Sequence, residues 1–388
     1  MKSNRFFYKY LLKYNVIKFK KIKNEIKDYK ITKFENPKSI KISSLIVENE
    51  RPFDILIKSG DYVKINQPIL ENEVGQKILS SISGKIVNVG LENNLKNELT
   101  YTIQIENDFK NESIKLSKLT IKNKLNFINI LKDFGLVSKD FLLYKFFESL
   151  TQTLYVNAYD DFFIYNNFSL LLNFKKEILI SLNKIKKLFN ITKIVFYTSK
   201  NNEKIVKEIK NNEDKIKLKK PSKNAINLED LLNIYYALKG ENKQFSIVSV
   251  TGQALNESKV LMIKRGTNIE EIVEFLGGFK QNIEEIENYK YTCMLAYNDE
   301  LTLKEKIKKC KDQNDKEKLI KLFSEKQKEA EINLYSKRED YYKKYLNCLA
   351  ACFISESKIK YTIKDFNNHI LNNIYGIHML NNEQFKKK

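Results

Sequence analysis

Between about Leu125 and Lys239, short apolar runs alternate with longer stretches of helical spacing. That rhythm confines this part of the chain to a parallel sheet with helices packed on it. Thr153-Leu154-Tyr155-Val156 and Lys193-Ile194-Val195-Phe196-Tyr197 read as buried strands. Phe174 to Phe189 and Asn201 to Lys210 read as the helices between them. From Ile40 to about Ile105 the texture differs, with β-branched runs broken by turn residues. Lys85-Ile86-Val87-Asn88-Val89 alternates, which implies a strand with one buried face. Ser59-Gly60-Asp61 and Ser83-Gly84-Lys85 read as tight turns, where glycine takes positive φ without steric cost. Many short strands with such punctuation imply a small β-sandwich or barrel.

Phe245 to Phe279 forms a compact unit. A strand at Ser246–Val250 meets a turn at Thr251-Gly252, and a second strand follows around Lys259–Ile263. Gly266-Thr267 precedes a helix over Ile269–Leu276, closed by Gly277-Gly278. Thr267 is the expected N-cap, with Glu270 completing a capping box. After about Asp299 the pattern becomes charged helix, with Leu301, Ile307, Leu319, Leu322 and Phe323 as packing positions.

The 388 residues carry a formal charge of +21, which raises the question of nucleic acid or an anionic membrane as partner. Lysine, asparagine and isoleucine dominate throughout, whereas arginine occurs only at Arg5, Arg51, Arg265 and Arg338. A phosphate-reading surface favours the arginine fork, so nucleic acid is not an expected partner. A weak contact with an anionic membrane face or an acidic partner is the reading the charge leaves open. Thr153 to Phe174 is the longest apolar stretch, and Asp160 and Asp161 interrupt it, so a spanning helix is not expected. The basic N-terminus lacks a clean apolar core and a cleavage site, which implies a cytoplasmic protein. Cys293, Cys310, Cys348 and Cys352 are few and scattered, as suits a reducing compartment.

Two stretches carry a resemblance. The segment ILIKSGDYVKINQPILENEVGQKILSSISGKIVNV (55–89) is similar to a lipoyl-like barrel-sandwich hybrid, without the Met-Lys-Met hairpin used for covalent attachment. The segment VSVTGQALNESKVLMIKRGTNIEEIVEFLGGF (248–279) is similar to the soluble-ligand-binding β-grasp (SLBB) pattern, with Gly252, Gly266, Thr267, Gly277 and Gly278 in place. Glu257-Ser258 stands where that pattern has Pro-Gly. In this order the pieces resemble the RnfC family, from the Rnf-type ion-translocating ferredoxin:NAD oxidoreductase. More distantly they resemble the A-type component of the sodium-translocating NADH:quinone reductase.

The resemblance implies a multi-domain α/β protein. Its parts are a basic lead-in (1–32), a barrel-sandwich hybrid (33–110) and a Rossmann-like parallel α/β domain similar to an FMN/NADH-binding module (120–240). An SLBB β-grasp (244–298) and a C-terminal helical region with a ferredoxin-like remnant (299–388) follow. The family cradles FMN phosphate in a glycine-rich loop, because backbone N–H groups must approach the anion closely. The matching stretch here, Phe134 to Phe141, keeps Gly135 and places Asp140 and Phe141 where a phosphate would lie. A second signature matches Asn157 to Ile164. Asn157 and Asp160 are read either as remnants of cofactor contacts or as Asx-type residues ending a buried strand.

The family's two [4Fe-4S] clusters need eight thiolates, against four cysteines in this chain. LYSKREDYYKKYLNCLAACFISESKI (334–359) is similar to the second cysteine run, with Cys348 and Cys352 left on an expected helix. They read either as half a metal site or as buried helix cysteines. No cofactor is therefore expected, FMN and [4Fe-4S] included, and no residue is assigned a catalytic role. The expected function is a divergent, docking subunit of a membrane-associated electron-transport complex, peripheral at the inner face of the cell membrane. Its expected partners are integral membrane redox subunits. A redox subunit with a reshaped flavin, NADH or quinone site, and a free-standing small-ligand-binding protein, are the alternatives. The structural glycines Gly60, Gly84, Gly252, Gly266, Gly277 and Gly278 are expected to hold the barrel and β-grasp turns.

Overall fold

The computed structural model describes residues 26, 28–47, 50–93, 99–116, 121–160, 164–221, 224–242, 245–252, 254–280, 306–309, 312–325, 349–355, 360–363 and 376–381. A short strand β1 (Thr32–Phe34) leads into the barrel. The barrel strands are β2 (Ser39–Ser43), β3 (Asp54–Ile55), β4 (Tyr62–Val63), β5 (Pro68–Glu71), β6 (Lys77–Leu79), β7 (Gly84–Asn93) and β8 (Leu99–Asn107). They form two sheets, ordered β2-β8-β7-β4 and β3-β5-β6. Alternation along β2 and β8 sends Ile40, Ile42, Ile103 and Ile105 inward, as a half-buried strand requires.

The next unit holds α1 (Lys124–Asp133), α2 (Leu143–Glu148), β9 (Thr153–Ala158), α3 (Asn166–Phe189), β10 (Lys193–Thr198), α4 (Glu203–Ile209), β11 (Lys215–Lys217), β12 (Ile226–Asn227) and α5 (Leu228–Leu238). Its four strands pair in parallel in the order β11-β10-β9-β12. The chain therefore runs outward from β9 to β11, then returns to place β12 on the other side. Leu154 and Val156 share a core with Ile178 and Leu182 of α3 and with Leu231 and Leu232 of α5. Thr153, Tyr155 and Asn157, on the second face of β9, are only half-buried. The expectation of a uniformly buried strand is corrected there.

Helix α3 begins at Asn166, eight residues before the sequence places it, and kinks at Phe174 (φ −134°). The Asp160 carboxylate accepts from the Asn167 and Phe168 N–H groups at 3.0 and 2.8 Å, satisfying donors the first turn leaves open. A cap supplied from the preceding strand end leaves no signature beside the helix it starts.

The third sheet is ordered β1-β14-β13-β17-β15-β16. Its members after β1 are β13 (Phe245–Thr251), β14 (Lys259–Lys264), β15 (Leu349–Ser355), β16 (Lys360–Ile363) and β17 (Gly376–Asn381), with α6 (Ile269–Phe275) between β14 and β15. Every residue of β13 is buried because both its faces are covered. Phe245 and Ile247 join the core of the barrel and α/β unit, whereas Val248 and Val250 pack with Ile269, Ile272 and Val273 of α6. The N-cap of α6 is Asn268, whose side chain accepts from the Glu270 N–H. Thr267 instead turns its buried hydroxyl to the Lys264 carbonyl at 2.6 Å, which corrects the expected cap.

A second correction concerns the C-terminal region read as helical. Residues 306–309 and 313–325 are helical, but β15, β16 and β17 are strands. β17 adds in parallel to β13, and β15 is paired on both sides. Leu319, Leu322 and Phe323 lie on the 313–325 helix and Ile307 on the 306–309 helix, while Leu301 lies outside the described residues.

Candidate functional site

Open parallel sheets present their carboxyl ends to ligands where the strand order reverses, and here that point lies between β9 and β12. Asn157 is the last residue but one of β9 and Asn227 ends β12, and the Asn157 amide donates to the Asn227 Oδ1 at 2.9 Å. The Asn227 amide in turn donates to the Ser138 hydroxyl at 3.1 Å, and Ser138 donates to Asp230 at 2.7 Å. Asn227 and Asp230 form a capping box on α5. Beside them, buried Lys139 meets the Glu229 carboxylate at 3.0 Å and the Ile247 carbonyl at 2.9 Å. The Ile247 N–H donates back to Glu229, and Arg265 reaches the Val137 carbonyl at 3.2 Å. The segment 137–139, α5 and the third sheet are thus joined by one polar network. Sequence reading missed Lys139, Glu229, Asp230 and Arg265. The only local signal was the Asn227-x-x-Asp230 spacing of a capping box.

Burial pushes the Asp230 carboxyl up to about 7, against the Ser138 hydrogen bond and with Glu229 adding to the rise. Desolvation likewise lifts Asp160 to about 6, opposed by hydrogen bonds from Asn202 and the start of α3. An acid whose folded value lies above its unfolded one stabilises the fold fully below the unfolded value. That stability disappears as pH rises through the folded value. Stability is therefore expected to decline between about pH 4 and pH 7, by about 1.4 kcal/mol for every tenfold change in a carboxyl's acidity. Asp230→Asn should flatten that decline in denaturation midpoints measured across the range. An unchanged slope in the variant would remove Asp230 as its source.

The sequence-predicted residues fall into separate places. Gly135 (φ +62°) follows α1, and its N–H donates to the Lys132 carbonyl. It lies against barrel strand β6, where an added Cβ would stand 2.8 Å from the Lys77 carbonyl oxygen. Asn157 Oδ1 accepts from the Tyr159 N–H, an Asx turn, and Asp160 caps α3. These three residues bond to the protein's own backbone and side chains. Asp140 is exposed. Cys352 lies on strand β15, not on a helix, and Cys348 lies outside the described residues. Gly60 sits at a barrel turn, whereas Gly84, expected in a turn, is the first residue of β7 and pairs with Val63 and Asn107; Gly252 lies against β17, Gly266 against Lys41 of β2, and Gly277 and Gly278 after α6. Among the described residues no three His, Cys, Asp or Glu side chains gather as metal ligands.

Space exists elsewhere. A cleft of about 580 Å³ opens beside the second face of β9, between α2, Thr153, Tyr155, Asn224 and Glu50 of the barrel. Phe141 and Phe146 stack at 5.1 Å in its wall, and Lys145 pairs with Glu50 at 2.5 Å. Its lining combines aromatic faces, hydroxyls and one ion pair, the mixture that small-molecule sites use for burial and orientation.

Residues 15–110 match the family model described as the RnfC barrel sandwich hybrid domain. The chain carries an RnfC-type barrel. No curated protein matches it. Solved structures of a NAD+-reducing [NiFe]-hydrogenase, in the air-oxidized and the H2-reduced states, align at 9% identity over 40% of this chain. Their TM-scores are 0.34 and 0.33, and the match spans 39% of the hydrogenase chain. The expectation that no cofactor is bound is withdrawn. The match of residues 15–110 to the RnfC barrel model gives that absence no support. Among the described residues no helix is long and apolar enough to cross a membrane.

Proposed function

We propose that this chain is a peripheral subunit of a membrane-associated electron-transport complex, of the NADH:ferredoxin or NADH:quinone oxidoreductase type. The RnfC-type barrel at residues 15–110 carries the reading. A strand order that reverses beside β9 supports a Rossmann-like reading of the α/β unit. The β13–β14–α6 unit, with its glycines at 252, 266, 277 and 278, is read as an SLBB-type β-grasp. In this proposal the barrel and β-grasp dock integral membrane redox subunits. Affinity capture from cross-linked membranes should recover such subunits in stoichiometric amounts, and their absence would count against it.

The cleft beside β9 favours a second reading, a redox subunit with its own small-molecule site. FMN, NADH and a soluble quinone, titrated separately, should each be scored by quenching of tyrosine fluorescence. Phe146→Ala and Tyr155→Ala should weaken any binding about tenfold or more, since an aromatic contact contributes on the order of 1 kcal/mol beyond its buried area. Silence with all three ligands would set this reading aside.

A further inference from the structure

We propose that the β11 edge of the parallel sheet is a docking surface for an anionic phospholipid membrane. This deepens the peripheral placement proposed above and rests on it. In the parallel register Val195 stands beside Lys215 and Tyr197 beside Lys217. Side chains alternate with period two, so Lys193, Val195 and Tyr197 share a face with Lys215 and Lys217. Three lysines from two neighbouring strands therefore converge, and Lys219 follows in the bend just past β11, its N–H on the Lys217 carbonyl. Among the described residues Lys193, Lys215, Lys217 and Lys219 have no carboxylate partner. Nearby helices differ, for Lys175 pairs with Glu208 at 2.9 Å and Lys207 with Glu203 at 2.6 Å. Partial desolvation, with Lys215 and Lys217 adding repulsion, draws the Lys193 ammonium below its usual range.

No carboxylate within the described residues offsets that repulsion, whereas an approaching anionic surface does. Among the described residues β11 is also the outer strand of its sheet, so the row lies at an open edge. Two features favour lipid over an acidic protein. The row is all lysine, a hydrated point charge on a flexible stem that can follow headgroups moving in the plane of the membrane. Leu218, 50% exposed, follows Lys217 at the bend where β11 ends and adds an exposed apolar side chain to the same edge.

The test is flotation of the full chain with protein-free phosphatidylcholine vesicles, with and without phosphatidylglycerol. Wild type should float only with the anionic vesicles. Lys215→Gln, Lys217→Gln and Lys219→Gln together should weaken binding about thirtyfold or more, at on the order of 1 kcal/mol for each lysine near the surface. A control removes three exposed barrel lysines, Lys58, Lys85 and Lys110, by the same substitution and should weaken binding less than about threefold. Equal losses in the two triple variants would reduce the effect to net charge and overturn the proposal. Binding only to membranes that retain their proteins would assign the edge to an acidic protein and overturn it too. If vesicle binding ignores β11 while redox subunits are still captured, the lysine row alone fails. If β11-dependent binding persists without captured redox subunits, the complex fails and the row stands.

Discussion

Lys139→Met is expected to lower stability by about 3–5 kcal/mol, among the largest losses a single side chain produces. Both partners of the Lys139–Glu229 pair are nearly sealed from solvent, at 4% and 8% side-chain exposure. Removing the ammonium leaves the Glu229 carboxylate buried, with the Ile247 N–H as a remaining donor. Desolvation of a carboxylate without its ion-pair partner then outweighs what that hydrogen bond and the more distant Arg265 charge return. The double variant Lys139→Met, Glu229→Leu should recover part of the loss, because an apolar pair removes the stranded charge. It leaves the Ile247 N–H without this acceptor, so recovery should be incomplete. Denaturant midpoints followed by circular dichroism would measure both. A single variant within about 1 kcal/mol of wild type would show that water reaches the pair and that it does not pin the third sheet to α5.

Gly84→Ala should be as severe, by a different route. Gly84 opens β7 at φ +154°, and an added Cβ would lie 1.8 Å from the Glu106 carbonyl oxygen on paired strand β8. The obstacle is backbone held in the ladder, so no rotamer change relieves it. A cost above about 4 kcal/mol is expected, enough to open the barrel sheet. Gly60→Ala provides the contrast. Gly60 also has positive φ (+94°), yet nothing lies within 4 Å of its would-be Cβ. Only the backbone penalty remains there, about 1–2 kcal/mol. Similar midpoints for the two variants would mean that β7 shifts freely against β8.

The difference between those two glycines was not legible in the sequence. Both read as Ser-Gly turns, and the strand β8 that crowds Gly84 lies more than twenty residues on. The candidate site shows the same limit. Asn157 and Asp160 could be singled out as strand-end residues, but the helix that Asp160 caps and the Asn227 that meets Asn157 belong to other segments. Lys139 looked like one lysine among many, because nothing beside it in the chain marks it as buried.

Local pattern alone determined the barrel strands, the alternation of strand and helix from β9 to α5, and the glycines that turn the chain around β13 and α6. Each depends on contacts within a few residues, where side-chain period and backbone freedom are written directly. Tertiary structure alone decided that residues 349–355, 360–363 and 376–381 would be strands. A strand's hydrogen bonds are completed by its neighbours, and β17 finds its parallel partner in β13, more than a hundred residues earlier. The burial of Lys139 with Glu229 was settled in the same way, since a charge is stable away from water only where a distant segment delivers its counter-charge.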